Sequence, residues 1–231
     1  MRILIVGHGR MGRLVASLAG EAGATVAGII DSRTASTLQG TDSPWGHVDV
    51  AVDFSAPDAV AANVPALARR GINLVVGTTG WGASEPALRS AIAETGVGIV
   101  VASNFSTGVV LFESIVAHAA RIFEGQPEFG AWLHEAHHAA KKDAPSGTAL
   151  TLERAMKRAG YSRSVDVSAT RAGHIPGTHT IGFDGPVESI TLQHSARDRS
   201  AFARGALTAA QWINGKRGWF TMQDVLGLKE R

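Results

Sequence analysis

The stretch Glu135-Ala136-His137-His138-Ala139-Ala140-Lys141-Lys142-Asp143-Ala144-Pro145-Ser146-Gly147-Thr148 gathers more chemistry than any other part of the chain. Two adjacent imidazoles, two ammonium groups and a Ser-Gly-Thr turn fall within fourteen residues, and a helical run, Ala149 to Ala159, follows directly. That arrangement suits an anion. A helix start offers unpaired backbone N–H groups and the positive end of the helix dipole, and Gly147 lets an anion approach the backbone. Ser146 is a good N-cap, and Lys141 brings a full charge to the same place. His137 and Lys141 are the groups here best suited to moving a proton. Singly, these features have ordinary explanations as solvated side chains and a helix cap. Together they exceed what a cap requires, because a cap needs neither the histidine pair nor Lys141. On strand parity, His134, Ala136 and His138 share one face while Glu135 and His137 share the other, so the two histidines should have different jobs.

The elements that must position these residues begin at the N-terminus. Ile3–Val6 is a continuous β-prone run, the pattern of a strand buried on both faces. Gly7-His8-Gly9-Arg10-Met11-Gly12 follows as a G-x-G-x-x-G, then the helical Arg13–Ala22 closed by Gly23. The first glycine allows the tight turn, the second lets a pyrophosphate approach, and the third permits close helix–strand packing. The next strand, Thr25–Ile30, ends at Asp31, nineteen residues past Gly12. An acid at that spacing accepts from the adenine-ribose hydroxyls of NAD, although Asp31-Ser32 also opens a loop well. Arg33 is placed to reach a 2′-phosphate, so both NADH and NADPH stay open.

Strand and helix then alternate: Val48–Phe54, Pro57–Arg70, Ile72–Val76, a helix capped by Ser84, and Val97–Ala102. Each strand ends in a small or polar turn: Phe54-Ser55-Ala56, Gly77-Thr78-Thr79-Gly80, and Ser103-Asn104-Phe105-Ser106. In an open parallel sheet ligands bind at those carboxyl ends. Gly77–Gly80 is read either as a plain loop or, in preference, as a wall for the nicotinamide end of the cofactor. Thr107–Phe123 is a long helix with one apolar face through Val109, Phe112, Val116, Ala119 and Phe123. Beyond it, short β-like runs at Pro127–His138, Ser164–Arg171, Thr178–Phe183 and Val187–Ser195 point to a mixed or antiparallel sheet. Helices Gly147–Ala159 and Ser200–Ile213 are expected to cover one face, with Ile190 and Leu192 offering an oligomer interface on the other. Gly205 inside the latter helix costs about 1 kcal/mol relative to alanine, which implies close packing there. The tail Gly218–Gly227 is apolar enough to return to the first domain.

The fold class expected is α/β, an N-terminal Rossmann-like parallel sheet with a second α+β domain built on a mixed sheet. Residues 1–106 and 218–231 form the expected dinucleotide-binding domain, and 107–217 the substrate-binding and oligomerisation domain. Composition narrows the function. Of 231 residues, 45% are hydrophobic and 18% charged, enough for a core. Net charge is only +2 with no block of like charges, which argues against nucleic acid. The absence of cysteine excludes disulfides, thiolate metal sites and a cysteine nucleophile. No metal is expected. No apolar run has the length of a signal peptide core or a membrane span, so a soluble cytoplasmic protein is expected.

Several of these motifs carry a resemblance. Gly9-Arg10-Met11-Gly12, Gly77-Thr78-Thr79-Gly80, Ala102-Ser103-Asn104-Phe105-Ser106, Arg171-Ala172-Gly173, Gly177-Thr178-His179 and Met222-Gln223-Asp224-Val225-Leu226 resemble the dihydrodipicolinate reductase family, also called hydroxy-tetrahydrodipicolinate reductase. So, above all, does Glu135-Ala136-His137-His138 with Lys141 and Asp143 to Thr148. The match runs nearly end to end. It implies NADH- or NADPH-dependent reduction of a small-molecule dicarboxylate in lysine and diaminopimelate biosynthesis. It places the proton donor/acceptor at His137 and a second proton donor at Lys141. Substrate carboxylates would meet His138 and Gly147-Thr148, with Ser146 and Thr79 nearby. Cofactor contacts would run through Gly7, His8, Gly9, Arg10, Met11, Gly12, Asp31, Arg33, Phe54, Ser55, Gly77, Thr78, Thr79, Ala102, Ser103, Asn104 and Phe105. It also implies a homotetramer joined through the second-domain sheets. The chain departs from the family in a glycine loop one residue shorter than the common G-x-x-G-R-M-G, in Ser32 where many members have a basic residue, and in a shortened stretch between Asp31 and Val48. The competing readings are an amino-acid dehydrogenase of similar two-domain build and a non-catalytic NAD(P)-binding sensor.

Overall fold

The run Ile3–Val6 contains nothing polar, as a strand covered on both faces requires, and β1 (Arg2–Val6) is buried from Ile3 to Val6. The structure is a computed structural model that describes residues 1–38, 40 and 43–228. The shortened stretch between Asp31 and Val48 therefore lies partly outside the described residues. The chain divides into two compact units, Met1–Thr107 with Ser200–Arg231, and Gly108–Arg199.

In the first unit β1 is followed by α1 (Arg10–Leu18), β2 (Thr25–Ile30), β3 (Val50–Asp53), α2 (Pro57–Ala68), β4 (Asn73–Val76), α3 (Glu85–Thr95) and β5 (Gly98–Val101). These strands form a parallel sheet in the order β2-β1-β3-β4-β5, extended by a sixth strand from the tail, β10 (Gly218–Phe220). The order reverses direction between β1 and β3, which sets the switch point at the ends of Val6 and Asp53. The tail adds β10 to the sheet of the first unit and then forms the short α7 (Met222–Val225). The first helix begins three residues earlier than the pattern suggested and gives way to a 3₁₀ turn, Gly20–Ala22, before Gly23 at φ +63°. Ser84 does not cap the third helix with its side chain; a 3₁₀ turn, Gly82–Ser84, leads into α3 instead.

Gly12 explains how closely α1 approaches the sheet. A Cβ at this position would lie 1.8 Å from the Gly7 carbonyl oxygen, with no flexible side chain to yield. Gly12→Ala should therefore displace α1 and cost about 1–3 kcal/mol or more. Thermal unfolding together with nucleotide titration checks this; wild-type values in both would contradict it.

The second unit contains α4, which begins at the unit boundary (Thr107–Glu124), then β6 (Gly130–His137), α5 (Gly147–Arg158), β7 (Val165–Arg171), β8 (Thr178–Asp184) and β9 (Ser189–Ser195). The sheet order is β7-β6-β8-β9, with β6 and β7 parallel and the other pairs antiparallel, so the sheet is mixed. Phe112, Val116 and Ala120 of α4 and Ala149, Leu152 and Met156 of α5 pack on Leu133, Ile181 and Phe183.

Two expectations need correction. The helix α6 (Ser200–Ile213) does not cover the mixed sheet. It lies with α1 and on β3, β4 and β5 in the first unit, so the second boundary falls after residue 199 rather than at 217. Its small residues permit this approach: a Cβ at Gly205 would stand 1.7 Å from the Phe105 carbonyl oxygen. Ile190 and Leu192 also do not face the open side. They pair with Phe183 and Ile181, whose side chains point toward α4 and α5, and residues directly opposite share a face. The open side of β9 instead carries Thr191, Gln193 and Ser195.

Candidate active site

In the first unit the glycine loop, Phe54, Gly77 and Phe105 lie close together near the switch point. A Cβ at Gly7 would meet the Phe54 carbonyl oxygen at 2.3 Å, so the ends of β1 and β3 nearly touch. Gly9 is the opposite case: nothing lies within 4 Å of where a Cβ would stand, and space is left for a ligand. Gly9 is also the N-cap of α1, which has no side-chain cap and no acid in its first turn. Arg10 and Met11 open that helix, while the His8 carbonyl accepts from Arg13 Nε at 3.1 Å. An uncapped helix start beside open space fits the diphosphate of a pyridine nucleotide. The Phe54 ring lies over Gly77, where a Cβ would come within 2.1 Å of it, and meets Phe105 edge-on at 6.1 Å between centroids.

A residue not singled out from the sequence organises these turns. Asp53 is fully buried and accepts from Ser55 N at 2.9 Å, Ser55 Oγ at 2.7 Å, Thr78 Oγ1 at 2.9 Å and Asn63 Nδ2 at 3.2 Å. The Ser55 and Thr78 hydroxyl protons are thereby committed to Asp53. Its only sequence signal is an acid ending a wholly apolar strand. Asp31, for its part, does the turn's work: it accepts from Arg33 N at 2.9 Å and Thr34 N at 3.2 Å. The Arg33 guanidinium folds back to it at 2.8 Å and holds its carboxyl down to about 2. Asn104 accepts from Ser106 N at 2.9 Å, which shapes the turn of Ala102 to Phe105 after β5. Thr79 belongs to this unit, and the other expected substrate residues belong to the second.

In the second unit β6 carries Glu135 and His137 on one face, as parity requires, and they touch: His137 Nδ1 lies 2.5 Å from Glu135 Oε2. Glu135 is fully buried. Its carboxylate also takes Arg171 Nη1 at 2.9 Å, Arg171 Nη2 at 2.6 Å and the Ser146 N–H at 3.0 Å. Burial by itself would raise this carboxyl, but donation from Arg171, His137 and Ser146 outweighs it and holds Glu135 below its ordinary value. Burial lowers His137, with Lys141 and Arg171 adding to the effect and Glu135 opposing it.

Ser146 caps α5 as predicted, its Oγ accepting from Ala149 N at 3.1 Å. It is buried, however, and its Oγ also bonds His179 Nε2 at 3.0 Å, so its hydroxyl serves the protein's own framework. Gly147 is exposed at the first turn of α5 with nothing within 4 Å of where a Cβ would stand. Thr148 follows it in the same turn, and His138 is half-buried just past β6. Lys141 Nζ is held by both oxygens of Asp143, at 2.7 and 2.9 Å, and this bond keeps the Asp143 carboxyl below its usual range. His137, Lys141 and the start of α5 are thus brought together.

Arg171, Asp143 and His179 acquire their parts only in the fold. Arg171 is paired with His137 across β6 and β7, and His179 with Glu135 across β6 and β8. The His179 ring sits edge-on to His137 at 5.2 Å. Glu135, His137 and His179 form the one group of metal-type ligands found among the described residues. Arg171 occupies both carboxylate oxygens, so a fixed cation already fills the place a metal would need.

Burial, with the nearby His137, pushes His179 from 6.5 down to about 4. A base whose folded value is depressed stays neutral in the native state while the unfolded chain takes up a proton. Stability from this group is therefore full above pH 6.5 and lost as pH falls toward about 4. Relative to His179→Gln, wild type should lose about 3 kcal/mol across that window. Urea midpoints measured at several pH values test it, and a difference that does not vary with pH would contradict it.

A glycine-loop helix start at the switch point of a parallel sheet, with a separate mixed sheet carrying an acid-paired imidazole ahead of a helix start capped by Ser146 and Asp143, fits a two-domain NAD(P)H-dependent oxidoreductase. Profiles described as dihydrodipicolinate reductase, N-terminus and C-terminus, match residues 1–105 and 108–226. The chain belongs to the dihydrodipicolinate reductase family. Among its relatives, the 4-hydroxy-tetrahydrodipicolinate reductase of Christiangramia forsetii is 32% identical, with 98% of each chain covered. That of Methanoculleus marisnigri is 37% identical over 95% of this chain and 96% of its own. In fold the chain is similar to a dipicolinate-bound dihydrodipicolinate reductase from Paenisporosarcina sp. TG-14, with a TM-score of 0.81, 19% identity, and coverage of 97% of this chain and 98% of that one. No helix among the described residues is long and apolar enough to cross a membrane.

Proposed function

We propose that the chain is a 4-hydroxy-tetrahydrodipicolinate reductase, forming tetrahydrodipicolinate with NADH or NADPH on the route to diaminopimelate and lysine. One observation carries the reading: His137, the last residue of β6, turns Nδ1 to a buried carboxylate, leaving Nε2 for a ligand, just before the loop that holds Lys141 and opens α5. The relatives named for this activity match the chain almost from end to end.

When bound, the reduced nicotinamide supplies a hydride. Gly7 to Gly12 with the start of α1 would hold its diphosphate, Asp31 and Arg33 the adenine ribose, and Phe54, Ser55, Gly77–Thr79 and Ala102–Phe105 the nicotinamide end. Arg33 neutralises Asp31, which leaves an exposed cation beside an acid and suits either nucleotide.

A cyclic dicarboxylate needs two anion sites, and Lys141 and the Gly147-Thr148 turn would supply them, His138 assisting; the Asp143 carboxylate, which Lys141 and the Gly147 N–H hold, must yield its place to the substrate. The 4-hydroxyl must first leave as water to give a conjugated ring; hydride addition to that ring then pushes electrons toward the ring nitrogen, and the resulting enamine requires a proton. His137 Nε2 delivers it. The arriving dianion offsets the burial that lowers His137, so docking itself charges the donor. Lys141 neutralises the substrate and aids the transfer. We further assign the enzyme to the cytoplasm, where its pathway runs, and to a homotetramer built through the open face of the mixed sheet.

The test is spectrophotometric. The aldehyde–pyruvate condensation product is mixed with the protein and NADH or NADPH, and nicotinamide oxidation is followed. Turnover above the enzyme-free rate supports the reading, and the faster nucleotide fixes the preference. Binding of nucleotide without turnover in either case would favour the sensor.

A further inference from the structure

Glu135 has no part in the chemistry assigned so far, yet it is one of two fully buried carboxylates among the described residues, the other being Asp53. Its neighbours on the same face of β6, Leu133 and Ala131, are apolar core residues. An apolar side chain would suit this place, since removing a carboxylate from water costs several kcal/mol before any pairing. The donors around it are divided evenly. Oε2 takes His137 Nδ1 and Arg171 Nη1, while Oε1 takes Arg171 Nη2 and the N–H of Ser146, the cap of α5.

We propose that Glu135 is the positioning residue for proton transfer: one oxygen holds the His137 ring in the Nδ1–H form with Nε2 outward, and the other fixes the anion-binding start of α5, so a single carboxylate keeps proton donor and substrate anchor in register. The inference rests on His137 being the proton donor. Its chemical basis is that a neutral imidazole has one donor and one acceptor nitrogen, and the partner of one decides the state of the other. Arg171 prevents Glu135 from rotating, because its guanidinium grips both oxygens in a forked pair. The charged and titratable groups facing His137 are Glu135 on its own strand, Arg171 on β7, His179 on β8 and Lys141 in the following loop. Glu135 is the anion among them; Lys141 and Arg171 disfavour the imidazolium, and His179 is neutral.

Glu135→Gln removes the charge and keeps the shape. The alkaline limb of kcat against pH, set by the protonated donor, should then move down by about 1–3 pH units. At pH near 8, kcat should fall about tenfold or more, while the NADH dissociation constant stays at its wild-type value. Glu135→Asp, which retains the charge, should return the limb toward its wild-type position. A residue that served only to stabilise the fold would lower the melting temperature without moving that limb. Should the glutamine variant fail to fold, ring nitrogen shifts of His137 in the wild-type protein decide the matter: protonation at Nδ1 supports the proposal, and protonation at Nε2 alone overturns it. If Glu135→Gln keeps wild-type kcat and limb while His137→Gln is inactive, the positioning role fails and His137 remains the donor. If His137→Gln is itself active, the reading of His137 fails, and this inference with it.

Discussion

His137→Gln should lower kcat by about 10²- to 10⁴-fold, the usual contribution of a positioned general acid, or roughly 3–5 kcal/mol of barrier. Glutamine can donate a hydrogen bond but cannot release a proton near neutral pH. The NADH dissociation constant should not change, because the glycine loop and its supporting turns lie in the other unit. His137→Asn should behave alike in kcat, and its amide is short enough to keep the contact with Glu135, so agreement between the two variants separates loss of the proton from disturbed packing. Steady-state kinetics with a fluorescence titration of NADH measure both quantities. An unchanged kcat in either variant would remove His137 from the chemistry.

Lys141→Ala should lower kcat and weaken substrate binding together, reducing kcat/KM by about 10²-fold, the scale of one lost charge-assisted hydrogen bond. The structure adds a reason for the loss to be larger than the deleted contact. Lys141 is bound by both oxygens of Asp143, and the alanine variant leaves that acid unneutralised where a dianion must dock. Part of the loss should therefore be repulsion. It should diminish with added salt, and Lys141→Ala with Asp143→Asn should recover activity relative to the single variant. A response to substrate concentration identical to wild type would count against any role for Lys141 in binding, and a double variant no better than the single one would count against repulsion by Asp143.

Much of this protein was legible from local pattern. The parallel sheet could be read because Ile3–Val6 and the later apolar runs have no polar face to show. The cap at Ser146 and the shared face of Glu135 and His137 follow from helix-start chemistry and strand parity, which act over two to four residues. What parity could not supply was the partner. Arg171 is 36 residues from Glu135 along the chain, and only the pairing of β6 with β7 brings them together. Likewise, nothing local separates a Ser146 hydroxyl open to substrate from one committed to His179; their hydrogen bond spans 33 residues.

The two corrections have the same origin. An amphipathic helix such as α6 carries an apolar face but no mark of which sheet it will cover, and close contact at Gly205 with Phe105 settled that it joins the first unit. Ile190 and Leu192 alternate correctly along β9, yet which side of the sheet they occupy depends on register with β8, and a single step in register inverts it. By itself, then, the sequence determined the elements, the glycine loop and the residue types of the candidate site, because spacing along one strand or helix turn is enough to specify them. The tertiary structure alone decided which charges meet, since a buried carboxylate persists only where separate strands bring its donors together.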